Sequence, residues 1–192
     1  MKAGYSVEGS TDRAFLRGLR DRWCPAVELV EGRFRGRSGQ SQRREIPKTC
    51  IELSSKGAEL IILMRDANDE YWRDVLKADS GRCADEHRHF VVFAVCDRNI
   101  ECWLCADRNW IAYRTGRAAT EFAVANPKVV FESAMQITTF EKREDEIASM
   151  VRAAPLHRWL SNKSFEAFYE SLRQMSKDFT CRIENLRDHG NG

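Results

Sequence analysis

Val7-Glu8-Gly9-Ser10-Thr11-Asp12-Arg13-Ala14-Phe15-Leu16 is the stretch on which the fold turns. It reads as the end of a short strand over residues 3–7, an acidic residue, a glycine turn and the start of a helix over 11–23. Open α/β sheets bind their ligands at the carboxyl ends of the strands, so Glu8 stands where such a protein does its chemistry. Glycine at position 9 would let the backbone turn tightly without a Cβ clash. The plainer reading is a strand-to-helix turn in which Ser10 or Thr11 caps the helix and Asp12 sits in its first turn, favoured by the helix dipole.

Two later segments repeat the arrangement. Glu59-Leu60-Ile61-Ile62-Leu63-Met64-Arg65 is a continuous apolar run of the kind found when both faces of a parallel sheet are covered, and it ends at Asp66-Ala67-Asn68-Asp69. Phe90-Val91-Val92-Phe93-Ala94-Val95-Cys96 is a second such run, followed by Asp97 and then Asn99-Ile100-Glu101-Cys102-Trp103-Leu104. Acidic residues thus follow three strands far apart in sequence. Helices expected over 45–56, 69–79 and 100–107, with strands over 27–31, 59–65 and 89–96, complete an alternation that predicts an α/β fold, a Rossmann-like, mainly parallel sheet flanked by helices. Residues 1–110 are expected to form this core. Residues 111–192 are expected to form a helical C-terminal extension packed on it, with amphipathic helices at 141–153 and 164–178.

The order Glu-Gly-Ser-Thr-Asp, then a strand ending in Asp-x-Asn, then Asn-Ile-Glu-Cys-Trp-Leu-Cys-Ala-Asp, resembles the Toprim domain of small proteins related to the overcoming-lysogenization-defect (OLD) family of nucleases. Trp159-Leu160 followed by Lys163-Ser164-Phe165 is similar to the closing helix of that group. The resemblance implies a divalent-metal-dependent nuclease that hydrolyses DNA phosphodiesters with Mg²⁺ or Mn²⁺, located in the cytoplasm, in a bacterial antiviral defence context with a separate ATPase partner. It places Glu8 and Asp12 on the first motif, Asp66 and Asn68 on an Asp-x-Asp pair, Asn99 and Glu101 on a Ser-x-Glu pair, and Lys163 on a late catalytic lysine. Glu8, Asp66 and Glu101 would be the principal ligands, with Asp12 and Asn68 as auxiliary ones. Asn68 stands where the family has aspartate and removes a negative charge. The alternative is therefore a non-catalytic nucleic-acid-binding or assembly module with a degenerate metal site.

The residue types make physical sense independently of the resemblance. Hard cations take oxygen ligands and keep some of their waters, whereas zinc favours His and Cys. Carboxylates gathered without a cation repel one another, and a pair of ions roughly 4 Å apart can serve an in-line phosphoryl displacement.

Composition narrows the alternatives. A net charge of +2 over 192 residues excludes a polycation that binds nucleic acid indiscriminately, so any such binding must come from a local patch. The patch expected is Gly32-Arg33-Phe34-Arg35-Gly36-Arg37-Ser38-Gly39-Gln40-Ser41-Gln42-Arg43-Arg44, read as a loop on the same sheet edge as Glu8 and Asp66, with Arg33, Arg35, Arg37, Arg43 and Arg44 contacting phosphates. A solvated charge run is the bland reading of the same residues. No apolar stretch approaches the about 20 residues of a membrane span, so no membrane partner is expected. Self-association into a homo-oligomer is left open. Seven cysteines without a secretion signal argue for reduced thiols rather than a disulfide framework. Cys96, Cys102 and Cys105 with His87 and His89 form the weaker alternative of a zinc site, against burial in the core. The chain carries no Gly-x-x-x-x-Gly-Lys-Ser/Thr loop, so an ATPase would be another chain.

Overall fold

In a computed structural model of the chain, residues 1–35, 39–135, 140–178, 181 and 183–188 are described, with backbone alone at 33–35, 39–42, 140–141 and 178. Four parallel strands, β1 (Lys2–Val7), β2 (Glu28–Arg35), β3 (Leu60–Asp66) and β4 (Val91–Cys96), form one sheet in the order β2-β1-β3-β4, the two apolar runs becoming β3 and β4. The helices α1 (Ser10–Trp23), α2 (Gly39–Ser55) and α3 (Trp72–Ser80) make the crossovers. β1 and β3 are central; β3 reads as an unbroken apolar run, as a strand covered on both faces does, whereas β1 interleaves Gly4 and Ser6 with Ala3, Tyr5 and Val7.

Register sorts the side chains between the two faces. Ala3, Tyr5 and Val7 align with Leu60, Ile62 and Met64 and with Val92, Ala94 and Cys96 on one face, against Phe15, Leu16 and Leu19 of α1. The other face presents Ile61, Leu63 and Val91 to Ile46, Cys50 and Leu53 of α2, and Val95 to Trp72 and Val75 of α3. Asp66 pairs in register with Cys96 and so continues the α1 face, while Arg65 lies on the α2–α3 face. A slip of one residue would exchange them.

The C-terminal half comprises α4 (Glu101–Leu104), α5 (Arg108–Thr115), α6 (Lys128–Ala134), α7 (Phe140–Ala153), α8 (Leu156–Trp159) and α9 (Lys163–Met175). It shares one core with the sheet. Phe165, Phe168, Tyr169 and Leu172 recur at helical spacing on α9 and are buried against Trp103, Trp159 and Phe15. α7 lies directly on α1 at Gly18, where a Cβ would stand 2.6 Å from the Ala148 carbonyl oxygen and 2.7 Å from Val151 Cβ.

Several expectations are corrected. The arginine-rich segment is not one loop. β2 runs to Arg35 and α2 begins at Gly39, leaving Pro47 inside the helix rather than in its first turn. Helix α3 starts at Trp72 instead of 69, because the Ala67 and Asn68 N–H groups are drawn to the Cys96 and Arg98 carbonyls at 3.0 and 2.8 Å. The helix expected over 100–107 divides at Asp107, which caps α5 through the Asn109 and Trp110 N–H groups, both at 3.1 Å. Cys24 and Cys181 form a disulfide with Cα atoms 5.0 Å apart, so the reading of every cysteine as a reduced thiol was wrong for these two. Cys50, Cys83, Cys96, Cys102 and Cys105 are free, and burial pushes the Cys96 and Cys105 thiols well above their ordinary range. No helix among the described residues is long and apolar enough to cross a membrane.

Candidate metal centre

Glu8 follows β1, Asp66 ends β3 and Glu101 opens α4 after β4, so parallel strands deliver all three to one edge of the sheet. Asp12, in the first turn of α1, joins them from above. Asp12 and Glu101 are each only 3% exposed. One carboxylate oxygen of Asp12 accepts the Gly9 N–H at 2.8 Å, which fixes the strand-to-helix turn. Gly9 itself is at φ −147°, and a Cβ there would stand 3.7 Å from Asp12, so neither backbone strain nor crowding demands glycine. Neither Ser10 nor Thr11 caps the helix; Gly9 holds the cap position. Arg13, next in sequence, is clamped between Glu31 at 2.9 Å and Glu144 at 3.1 Å, tying this turn to β2 and α7.

The electrostatics show that these acids share one environment. Burial pushes the Asp12 carboxyl up to about 7, opposed by the Gly9 N–H and reinforced by the charges of Glu8 and Glu101. Burial pushes Asp66 up to about 8, with Asp12, Glu8 and Glu101 adding repulsion and Lys128 opposing it. Glu101 is raised chiefly by burial, against its own backbone N–H and the positive charges of Lys128 and Arg143. Asp12 Oδ1, Asp66 Oδ1 and Glu101 Oε2 are buried with no hydrogen-bond donor among the described residues. Buried acceptors without donors are rare, because each forfeits its hydration for nothing in return.

This donor set suits a hard divalent cation, which takes carboxylate oxygens and needs no protein proton. The spacing is looser than the chemistry. Among the described residues no three His, Cys, Asp or Glu side chains are arranged to hold a metal ion. The acids are near enough to perturb one another strongly, yet they are not closed around a point, as expected of like charges on separate elements.

The remaining expected residues divide. Asn68 is exposed at φ 54°, a left-handed conformation that asparagine tolerates, and its amide turns back to the Asp66 carbonyl at 3.5 Å. Asn99 is buried and donates to Asn126 Oδ1 at 2.9 Å; Asn126 Oδ1 also accepts the Lys128 N–H at 3.2 Å. Asn99 therefore fixes the start of α6. Lys163 is exposed, with its ammonium 2.9 Å from Glu166, and the lysine whose charge reaches Asp66 and Glu101 is Lys128. Arg43 lies between Asp79 at 2.8 Å and Glu70 at 3.8 Å, beside the buried Arg65–Asp79 pair, and so is held by protein carboxylates rather than turned to solvent. Arg44 is exposed. The side chains of Arg33 and Arg35, and all of Arg37, lie outside the described residues.

Sequence reasoning missed Lys128, Asn126 and Ser164. Ser164 is buried. Its hydroxyl accepts the Asp97 N–H at 2.9 Å and the Trp103 indole N–H at 2.6 Å, and donates to Asn162 Oδ1 at 2.9 Å. It binds the end of β4, the helix carrying Glu101 and the start of α9 into one unit. No local pattern announces such a hub, since its partners lie 67 and 61 residues away. No known protein family, characterised protein or solved structure matches the chain.

Proposed function

We propose that the protein is a divalent-metal-dependent nuclease that hydrolyses DNA phosphodiesters, with Glu8, Asp66 and Glu101 as principal ligands and Asp12 supporting them. The observation that carries this reading is the set of buried carboxylate oxygens of Asp12, Asp66 and Glu101, without a donor among the described residues, brought from α1, β3 and α4 to the carboxyl edge of a parallel sheet beside Glu8. Bound there, Mg²⁺ or Mn²⁺ would activate water and stabilise the leaving oxygen. The chain's own contributions are positional. Rigid strand ends hold the acids, the Gly9 N–H orients Asp12, and Lys128 supplies positive potential beside Asp66 and Glu101 for an incoming phosphate. The OLD resemblance adds a role as the Toprim subunit of a cytoplasmic defence system whose ATPase is a separate chain.

A second reading is favoured by the open spacing of the acids and by the neutral Asn68 standing where the OLD resemblance expects an aspartate: a non-catalytic module that retains the fold and binds nucleic acid. Supercoiled and linear DNA incubated with the protein and Mg²⁺, Mn²⁺ or EDTA separates the two. Nicking that requires the metal and is lost in Glu8→Gln supports the nuclease. Binding without cleavage supports the module, and full activity in Glu8→Gln removes Glu8 from the chemistry.

A further inference from the structure

Two open cavities of about 770 and 260 Å³ share Ala106, Arg108 and Ser161 and form one groove beside the edge strand β4. Polar side chains line it, among them Asn109, Thr120 and Asn162. Two acids also face it. Asp107 is occupied in capping α5 and in an ion pair with Arg158 at 3.1 Å, and Asp97 stands at the inner end. Arg108 is exposed and has no ion-pair partner among the described residues. Cys102 in the wall belongs to α4, so the groove ends beside the helix that opens with Glu101.

The rim carries an aromatic platform. Tyr113 is 80% exposed, and on α5 it lies four residues after Asn109, hence on the same helix face one turn beyond the groove lining. The Tyr113 and Trp110 ring centroids are 6.0 Å apart, and the Arg114 guanidinium lies 5.8 Å from the Trp110 ring. The exposed tyrosine ring offers a planar ligand a face on which to stack.

We propose that this groove binds a single strand of nucleic acid, Arg108 contacting a backbone phosphate and Tyr113 stacking on a base. Single strands are held without reading of sequence by phosphate contacts together with aromatic side chains on which bases stack, and Arg108 supplies the phosphate contact here because Arg158 is paired with Asp107. The inference deepens the nuclease reading and rests on it, since the groove ends beside the helix that opens with Glu101.

The test is fluorescence anisotropy of a labelled 20-nucleotide oligothymidine with the full chain in EDTA, repeated across salt concentrations. Tyr113→Ala should weaken binding about tenfold, the loss of one stacked base. Tyr113→Trp should bind at least as well as the wild type, which separates lost stacking from lost folding. Arg108→Gln should make the salt slope shallower by about 0.7, the value for one phosphate on a single strand. Absence of binding by the wild type, or unchanged affinity in Tyr113→Ala and an unchanged slope in Arg108→Gln, overturns the groove. If DNA is never cleaved while the groove variants lose affinity, the nuclease reading falls and the groove stands; metal-dependent cleavage with indifferent groove variants gives the reverse.

Discussion

Replacing Asp66 with asparagine should stabilise the metal-free protein increasingly as pH rises. In the fold the Asp66 carboxyl is pushed up to about 8 from its ordinary 3.8, mainly by burial. Between these values the folded state keeps a proton that the unfolded state has released. The group's contribution is therefore complete below about pH 4 and is lost as pH rises through its folded value. The slope is about 1.4 kcal/mol per pH unit, and asparagine cannot titrate, so Asp66→Asn should gain about 3 kcal/mol on the wild type between pH 5 and pH 7. Urea unfolding in EDTA measures this directly. With a denaturant slope of about 2 kcal/mol per molar, the gap between the two midpoints should widen by roughly 1.5 M over that interval. A gap independent of pH would refute the claim that Asp66 is buried among like charges.

Other consequences can be checked with simple variants. Ser164→Ala leaves the Trp103 indole and Asp97 N–H groups without their acceptor and should cost about 1–3 kcal/mol in chemical denaturation, the penalty for the abandoned buried indole donor, with the part-buried Asp97 N–H adding less. Gly18→Ala forces a methyl group against the Ala148 carbonyl and should lower stability by about 1–3 kcal/mol, read as a fall in the thermal midpoint. Lys128→Ala should lower metal-dependent cleavage at least about tenfold if its charge serves the phosphate, a transition-state loss of about 1.4 kcal/mol. Lys163→Ala should leave the rate within about twofold of wild type in the same assay, since its ammonium is engaged by Glu166.

β3 and β4 were legible because they are paired and covered, which leaves unbroken apolar runs that alternation cannot disguise. Asp66 was legible as the acid closing such a run, and Glu8 and Glu101 from the turns that lead out of β1 and β4 into helices. What failed was decided at a distance. Lys128 reaches the acids only because Asn99 grips Asn126 across 27 residues, and Cys24 meets Cys181 across 157. The arginine-rich segment was misread because glycines and a proline signal a loop, whereas pairing of β2 with β1 extends the strand to Arg35 and Arg43 anchors α2 on Asp79. Gly9 looked like a steric requirement, and its backbone proved ordinary.

Crystals grown with Mn²⁺ and measured at the manganese absorption edge test the central claim most directly, because the anomalous signal locates the ion without reference to activity. Density among Glu8, Asp66 and Glu101 in the wild type, lost in Glu8→Gln, is the predicted result. An acid cluster without anomalous density at saturating Mn²⁺, in a protein that still cleaves DNA, would contradict it.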